Sequence, residues 1–289
     1  MTDRLRWRVQ TLAYASGSVA LLLVAAAIVF GVPGAMWLVV ASAIFLAFQD
    51  RIPVHAIMRL RGARPVRSYE APTVHAMASE LARRAGLVQT PALYYVPRRQ
   101  PEAFTVASGD HAAIAVSSGL LDVLDPDELF GVLAHEVSHV RAGDTRLLGL
   151  VQSVRQLTGT VVLFGVLSLM FSLLGLFPAV SPFVPLLLVV PGLSAAVAMA
   201  VSRTREFDAD LGAAALLGDP RPLARALWKL ERFNLGLVGL LGIRLESLVP
   251  RSLHTHPPTA ERVDRLLALV RTHSEPHFGG PPPRPLVLL

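Results

Sequence analysis

The sequence of 289 residues contains no cysteine and has few charged residues, 17%, whereas an ordinary soluble domain has about a quarter. The absence of cysteine excludes disulfides, thiolate nucleophiles and cysteine-based metal sites, so any metal must be bound by histidine, aspartate or glutamate. The chain is 53% hydrophobic with a mean hydropathy of +0.51, which argues against a disordered chain and an ordinary soluble globule. We expect a membrane protein with a folded soluble part.

Lysine is also nearly absent, because all the basic residues except Lys229 are arginine. The net charge of +6 would suit a nucleic-acid partner only if these arginines formed a patch for phosphates. Instead, many of them flank apolar runs, three before the first run and five after the second: Arg4, Arg6, Arg8, Arg51, Arg59, Arg61, Arg64 and Arg67. We therefore predict contact with a lipid bilayer and no nucleic-acid partner.

The apolar runs at residues 11–30, 35–48, 157–177 and 183–201 predict four membrane spans arranged as two hairpins, since about 20 apolar residues suffice for a helix to cross the hydrocarbon core. A cleaved signal peptide is the alternative for the first run, and a buried hairpin of a soluble core is the alternative for the second pair. Arginines lie at the outer ends of both hairpins and none lies in their loops. The positive-inside rule then predicts that both termini and the sequence between the hairpins are cytoplasmic.

The predicted domain organisation follows from these runs. Residues 1–49 form an N-terminal transmembrane hairpin, and residues 157–201 form a second one. Residues 50–156 and 202–272 are expected to be two blocks of a single cytoplasmic domain that the second hairpin interrupts. Residues 273–289 are rich in proline and glycine, and we predict that they are disordered.

The segment Asp125-Pro126-Asp127-Glu128 predicts a helix start, and the helix should continue toward Gly143. It carries His135-Glu136-Val137-Ser138-His139, in which the two histidines lie one turn apart on the same face and can bind one tetrahedral ion. Glu136 lies beside that face, where it can take a proton from water held at the metal. This is the arrangement of zinc proteases. The alternative is that the histidines only occupy one stripe of an amphipathic helix.

A catalytic zinc site needs a third protein ligand, and the segment after the second hairpin contains candidates for it. Glu206 and Asp210 are four residues apart, so on a helix one carboxylate can bind the metal while the other orients a ligand histidine. The alternative is a solvated acidic face paired with Arg203 and Arg205. We favour the metal site because the histidine motif precedes it.

Taken in order, these motifs resemble the HtpX-like membrane-bound zinc metalloproteases, which are related to CAAX prenyl endopeptidases and, more distantly, to thermolysin-like gluzincins. The resemblance covers nearly the whole chain. Its matching stretches are residues 61–66, 115–121, 135–139 with Gly143 and Asp144, 202–210, and 255–258 with Arg262. One departure is Glu102-Ala103-Phe104, where the family usually has Asn-Ala-Phe.

The resemblance implies a mainly α integral membrane protein with a cytoplasmic, gluzincin-like α+β protease domain and a small sheet. One zinc ion per chain would be held by His135, His139 and Glu206, with Glu136 as the general base and His256 stabilising the oxyanion. Asp210, Asp144 and Arg262 would support the ligands from outside the first layer around the metal. The resemblance also implies an edge strand at residues 112–117, whose Ala113, Ile114, Ala115 and Val116 bind extended substrate. The amino-acid composition of this stretch fits an ordinary core strand equally well.

The implied function is endopeptidase cleavage of membrane or misfolded proteins at the cytoplasmic face of the bacterial inner membrane, in quality control or the stress response. One alternative is a membrane-anchored binding or scaffold protein that lacks turnover. Another is an endopeptidase for isoprenylated peptides, which would share the catalytic residues but normally has more membrane spans.

Overall fold

A computed structural model describes residues 53–108, 111–175, 190–240 and 257–274, together with scattered positions between 16 and 40. The helices are α1 (Val54–Leu60), α2 (Pro72–Ala85), α3 (Ser118–Val123), α4 (Pro126–Ala142), α5 (Asp144–Leu173), α6 (Val190–Leu217), α7 (Arg221–Leu240) and α8 (Thr259–Ser274). The strands are β1 (Arg64–Pro65), β2 (Ala92–Val96), β3 (Ala103–Ser108) and β4 (His111–Ser117). The described part is thus mainly helical with one small sheet, as the sequence predicts.

The strands form one sheet in the order β1-β2-β4-β3. Strand β4 pairs in parallel with β2 and antiparallel with β3, so both of its sides are hydrogen-bonded. The prediction that residues 112–117 form an edge strand is therefore wrong. Ala113, Ile114, Ala115 and Val116 are 0–4% exposed, because a strand of small and β-branched apolar residues is stabilised most by burial at the centre of a sheet. Among the strands of the described residues, β3 is the one at the edge next to β4.

Helix α4 is the central element of the helical layer and packs against α2, α6 and α7, with β3 at its side. Its buried residues join those of the neighbouring helices in one apolar cluster that includes Leu129, Leu133 and Val137. Gly131 allows α7 to approach α4 closely, since a Cβ atom there would lie 2.9 Å from the backbone nitrogen of Leu223 in α7. This packing fixes the position of the helix that carries the histidine motif.

Helices α5 and α6 are continuous across the predicted domain boundaries. The boundary at residue 157 lies inside α5, and the boundary at residue 202 lies inside α6. In the ranges given above, no helix combines the length and the apolar character that crossing a bilayer requires. Half of the predicted run 11–30, most of the run 35–48, and residues 176–189 of the second hairpin lie outside the described residues.

The C-terminal helix α8 packs against α6 and α7. It ends at Ser274, two residues into the segment 273–289 that we predicted to be disordered, and the remainder of that segment lies outside the described residues. Residues 273 and 274 are therefore helical and not part of a disordered tail.

Candidate metal centre

The motif helix α4 begins and ends where the sequence predicts. The Asp125 side chain accepts a hydrogen bond from the Glu128 backbone N–H at 3.0 Å, and the Glu128 carboxylate accepts one from the Asp125 N–H at 3.1 Å. Pro126 occupies the first helical position, and Gly143 ends the helix with φ of 72°, a left-handed conformation that glycine adopts readily. Both ends of α4 are thus fixed by local interactions. Fixed helix ends also determine the side of the helix on which its two histidines lie.

The structure brings His135 and His139 of α4 together with Glu206 of α6, and their potential ligand atoms all lie within 4.8 Å of one another. The two Nε2 atoms are 3.2 Å apart. The Glu206 carboxylate oxygens lie 3.5 Å from the Nε2 atom of His135 and 3.8 Å from that of His139. Ligands of a tetrahedral ion with bonds of about 2.0–2.1 Å lie about 3.3 Å apart. The spacing of this group therefore fits a single metal ion.

Asp210 and Arg262 form a buried layer behind the ligand atoms. The Nδ1 atom of His135 lies 3.0 Å from Asp210 Oδ1, so it can donate to that carboxylate while Nε2 faces the other ligands. Arg262 of α8 donates to both Asp210 oxygens at 2.7 Å, and its Nη1 atom lies 3.1 Å from Glu206 Oε2. This pairing compensates the charge of two neighbouring carboxylates in the protein interior.

The carboxylates of Asp210 and Glu206 also change the pKa of His135. Burial disfavours the charged imidazole of His135, but hydrogen bonds to Asp210 and Glu206 outweigh it and raise the pKa of His135 to about 10. Burial likewise opposes ionisation of Asp210, but hydrogen bonds from Arg262 and His135 lower the pKa of its carboxyl below the usual value. In the absence of metal, the two carboxylates thus favour a positively charged His135, and a divalent cation can replace that proton.

Glu136 contacts the sheet through β3. Its carboxylate oxygen Oε2 accepts a hydrogen bond from the Thr105 hydroxyl at 2.6 Å. Glu136 is 8% exposed and directly follows His135, a potential metal ligand, in sequence. Thr105 was not among the predicted site residues, since the sequence contains no signal that a threonine some 30 residues before the motif would contact it.

The remaining predicted site residues have different positions. Asp144 is the first residue of α5 and is separated from the motif helix by Gly143. His256 lies outside the described residues, which resume at residue 257. The carboxylate of Glu102, the residue that departs from the family pattern, accepts a hydrogen bond from Arg98 at 3.0 Å. The acidic replacement, which immediately precedes β3, thus forms an ion pair with an arginine of the segment between β2 and β3.

Comparison with known proteins agrees with this site. The model of peptidase family M48 matches residues 68–270, which include α2 to α7, most of α8 and the three strands β2, β3 and β4. The chain belongs to peptidase family M48. The similarity that the sequence motifs predicted is therefore confirmed, and membership in a peptidase family supports a metalloprotease function for the buried His, His and Glu group.

Individual relatives give the same result. The chain is 34% identical over 243 residues to a protease HtpX homolog of Aquifex aeolicus (strain VF5), covering 78% of this chain and 79% of that protein. It is 36% identical over 239 residues to a protease HtpX homolog of Acidiphilium cryptum (strain JF-5), covering 73% and 78%. The crystal structure of S. mikatae Ste24p shares the fold with a TM-score of 0.51 at 22% identity; the match covers 92% of this chain and 66% of that one, slightly under two thirds.

Proposed function

We propose that this M48 family member is a zinc-dependent endopeptidase that acts on membrane or unfolded proteins. The observation that carries the proposal is the juxtaposition of Glu136 with three buried potential ligands, His135, His139 and Glu206. Two imidazoles and one carboxylate leave a fourth position open on a tetrahedral ion, which is the ligand set of catalytic zinc. A bound zinc ion would supply Lewis acidity toward the scissile carbonyl and toward water.

In this proposal, different residues of the protein bind the metal, orient a ligand and transfer the proton. His135, His139 and Glu206 hold the metal, and Asp210 fixes the His135 ring by accepting from its Nδ1 atom. Glu136 removes a proton from the attacking water and passes it to the amine of the leaving peptide. A carboxylate can do both steps without a second base because it returns to its ionised state at the end of the cycle.

The strand β3 is the candidate for binding extended substrate, in place of β4. Among the described residues, β3 pairs only with β4, and Thr105 in its centre contacts Glu136. An extended peptide that added to the outer side of β3 would place its backbone next to the general base. This is the route by which a protease can accept unfolded segments of varied sequence, since backbone hydrogen bonds do not depend on side chains.

The first test measures zinc content and cleavage of an unfolded protein such as casein by the detergent-purified chain. We expect about one zinc per chain, loss of zinc in His139→Ala, and retention of zinc without cleavage in Glu136→Gln. Glu261→Gln, which changes an exposed glutamate on α8, is the matched control and should cleave normally. Cleavage by Glu136→Gln at the rate of the parent would contradict the role of Glu136.

We further propose that the chain is a multi-pass protein of the bacterial inner membrane, with the metal centre and both termini in the cytoplasm, and that it serves in protein quality control. The C-terminal part of α5 supports a lipid-facing surface, because a large set of its apolar side chains is exposed: Leu163, Phe164, Val166, Leu167, Met170, Phe171, Leu173 and Leu174 at its end. An exposed apolar surface of this kind is typical of contact with protein or lipid. The arginines that flank the apolar runs support the orientation.

The cysteine-free sequence makes the topology directly testable. A single cysteine in the predicted external loop, Ala179→Cys, should react in intact cells with a maleimide that cannot cross the membrane. A single cysteine on the protease domain, Asp122→Cys, should react only after the cells are lysed, and the parent chain should not react at all. Labelling of Asp122→Cys in intact cells would reverse the proposed orientation, and release of the chain from membranes by an alkaline wash would contradict membrane integration.

A further inference from the structure

Thr105 occupies a defined position between the sheet and the motif helix. It pairs with Ile114 in the register of β3 and β4. Its neighbour Phe104 packs on the opposite face of the sheet, with the cluster that contains Met58, whereas Ala103 packs with the core around α4. Because side chains alternate along a strand, the register directs the Thr105 hydroxyl toward α4. There it donates to the Glu136 carboxylate at 2.6 Å.

A glutamate side chain has a soft final torsion, so a free carboxylate samples a broad range of orientations about its last bond. A general base needs one orientation, with one oxygen directed at the proton that it removes. The hydrogen bond from Thr105 occupies Oε2 and thereby leaves the other oxygen of Glu136 for water. The distance of 2.6 Å between the hydroxyl and carboxylate oxygens is short, as in the stronger class of hydrogen bond between a hydroxyl group and a carboxylate.

We propose that Thr105 is a positioning residue for the general base Glu136 and acts through its hydroxyl group. The proposal rests on the proposed peptidase function. A hydroxyl group can donate and accept, so Thr105 can keep its contact both before Glu136 takes the proton and afterwards, when the protonated carboxyl becomes a donor. Since Thr105 belongs to β3, the same strand would carry the substrate backbone and orient the base.

The test compares Thr105→Val with Thr105→Ser. Valine keeps the branched shape and the strand preference of threonine but has no hydroxyl group, whereas serine keeps the hydroxyl group. We expect Thr105→Val to lower kcat for casein cleavage by about 10- to 100-fold with little change in KM, since a hydrogen bond to a charged group is lost. Thr105→Ser should restore kcat to within about threefold of the parent. Zinc content should be unchanged in both variants.

The control is Thr73→Val, which makes the same chemical change in the exposed first turn of α2 and should leave kcat unchanged. If Thr105→Val does not fold, Thr105→Ala replaces it, since Ala103 and Ala107 already occupy the adjacent positions on that face. Equal kcat values for the parent and the variant without a hydroxyl group would overturn the proposal. So would a loss of kcat in Thr105→Ser as large as that in Thr105→Val.

A second measurement uses the metal-free protein and separates this proposal from the peptidase function. The unfolding midpoint is measured for Thr105→Val, Glu136→Ala and the double variant. If the hydrogen bond is present, Thr105→Val lowers the midpoint in the parent but has little effect in the Glu136→Ala background. Additive effects would contradict the contact itself. A parent that binds no zinc and cleaves nothing would instead overturn the peptidase function, whatever the coupling.

Discussion

The carboxylate of Asp210 orients the imidazole ring of His135. It lies 3.0 Å from the Nδ1 atom and is held in place by two hydrogen bonds from Arg262. An imidazole whose Nδ1 atom carries the proton has a free lone pair on Nε2, the atom that faces His139 and Glu206. Because Glu206 and Asp210 are one helical turn apart, Glu206 faces the other potential metal ligands while Asp210 contacts the Nδ1 atom of His135.

Replacing Asp210 with asparagine should weaken zinc binding by about 10- to 100-fold. Asparagine keeps the size of the side chain but removes the charge that orients His135 and that Arg262 neutralises. The measurement is the zinc dissociation constant, obtained by competition with a chelator of known affinity. Asp208→Asn, an exposed position on the same helix, is the control and should bind zinc as the parent does. An unchanged dissociation constant for Asp210→Asn would show that Asp210 does not orient the ligand.

At the scale of elements, helix α4 and strand β3 differ in how far sequence patterns define them. The ends of α4 follow from a capping box and a C-terminal glycine, both local signals that are readable in the sequence. The place of a strand in its sheet is not local. The composition of residues 113–116 fits both an edge strand and a central strand. Only the pairing of β4 with β2 on one side and with β3 on the other shows that these residues are central.

Gly131→Ala should destabilise the fold by about 1–3 kcal/mol, the usual cost of overpacking a buried contact. A Cβ atom at this position would lie 2.9 Å from the nitrogen and 3.0 Å from the Cα atom of Leu223, and both are backbone atoms that cannot rotate away. The measurement is the free energy of unfolding of the metal-free chain. Gly159→Ala in α5, where a Cβ atom meets nothing within 4 Å, is the matched control and should not destabilise. Equal stability of the two variants would show that α4 and α7 are not in tight contact.

At the scale of the whole molecule, the metal centre joins elements that lie far apart in sequence. Helix α4 contributes His135 and His139, α6 contributes Glu206 and Asp210, and α8 contributes Arg262. A cation bound to His135, His139 and Glu206 would therefore link α4 to α6 in the folded state only. Because the unfolded chain does not hold these ligands together, metal binding should add to the stability of the fold.

Zinc should raise the unfolding midpoint of the metal-free protein. A free zinc concentration of 100 times the dissociation constant corresponds to about 2.7 kcal/mol of added stability. Glu206→Gln removes a charged group that would join α6 to α4 and should abolish most of this increase, whereas Glu80→Gln on α2, which pairs with Arg83 and Arg84, should not. Thermal unfolding with and without zinc is the measurement. A similar increase for the parent and Glu206→Gln would indicate that zinc binds elsewhere.

The sequence by itself determined the features that depend on local spacing. The one-turn separation of His135 and His139, the caps of α4 and the pair Glu206 and Asp210 follow from helical periodicity, and the predicted ligand set is the group that the structure brings together. The tertiary structure decided what depends on pairing between distant segments. Within the described part of the sheet it placed β3 at the edge and β4 inside, and it brought Thr105 to Glu136. The physical reason is that strand order and cross-chain contacts are set by packing, which periodicity within one segment does not encode.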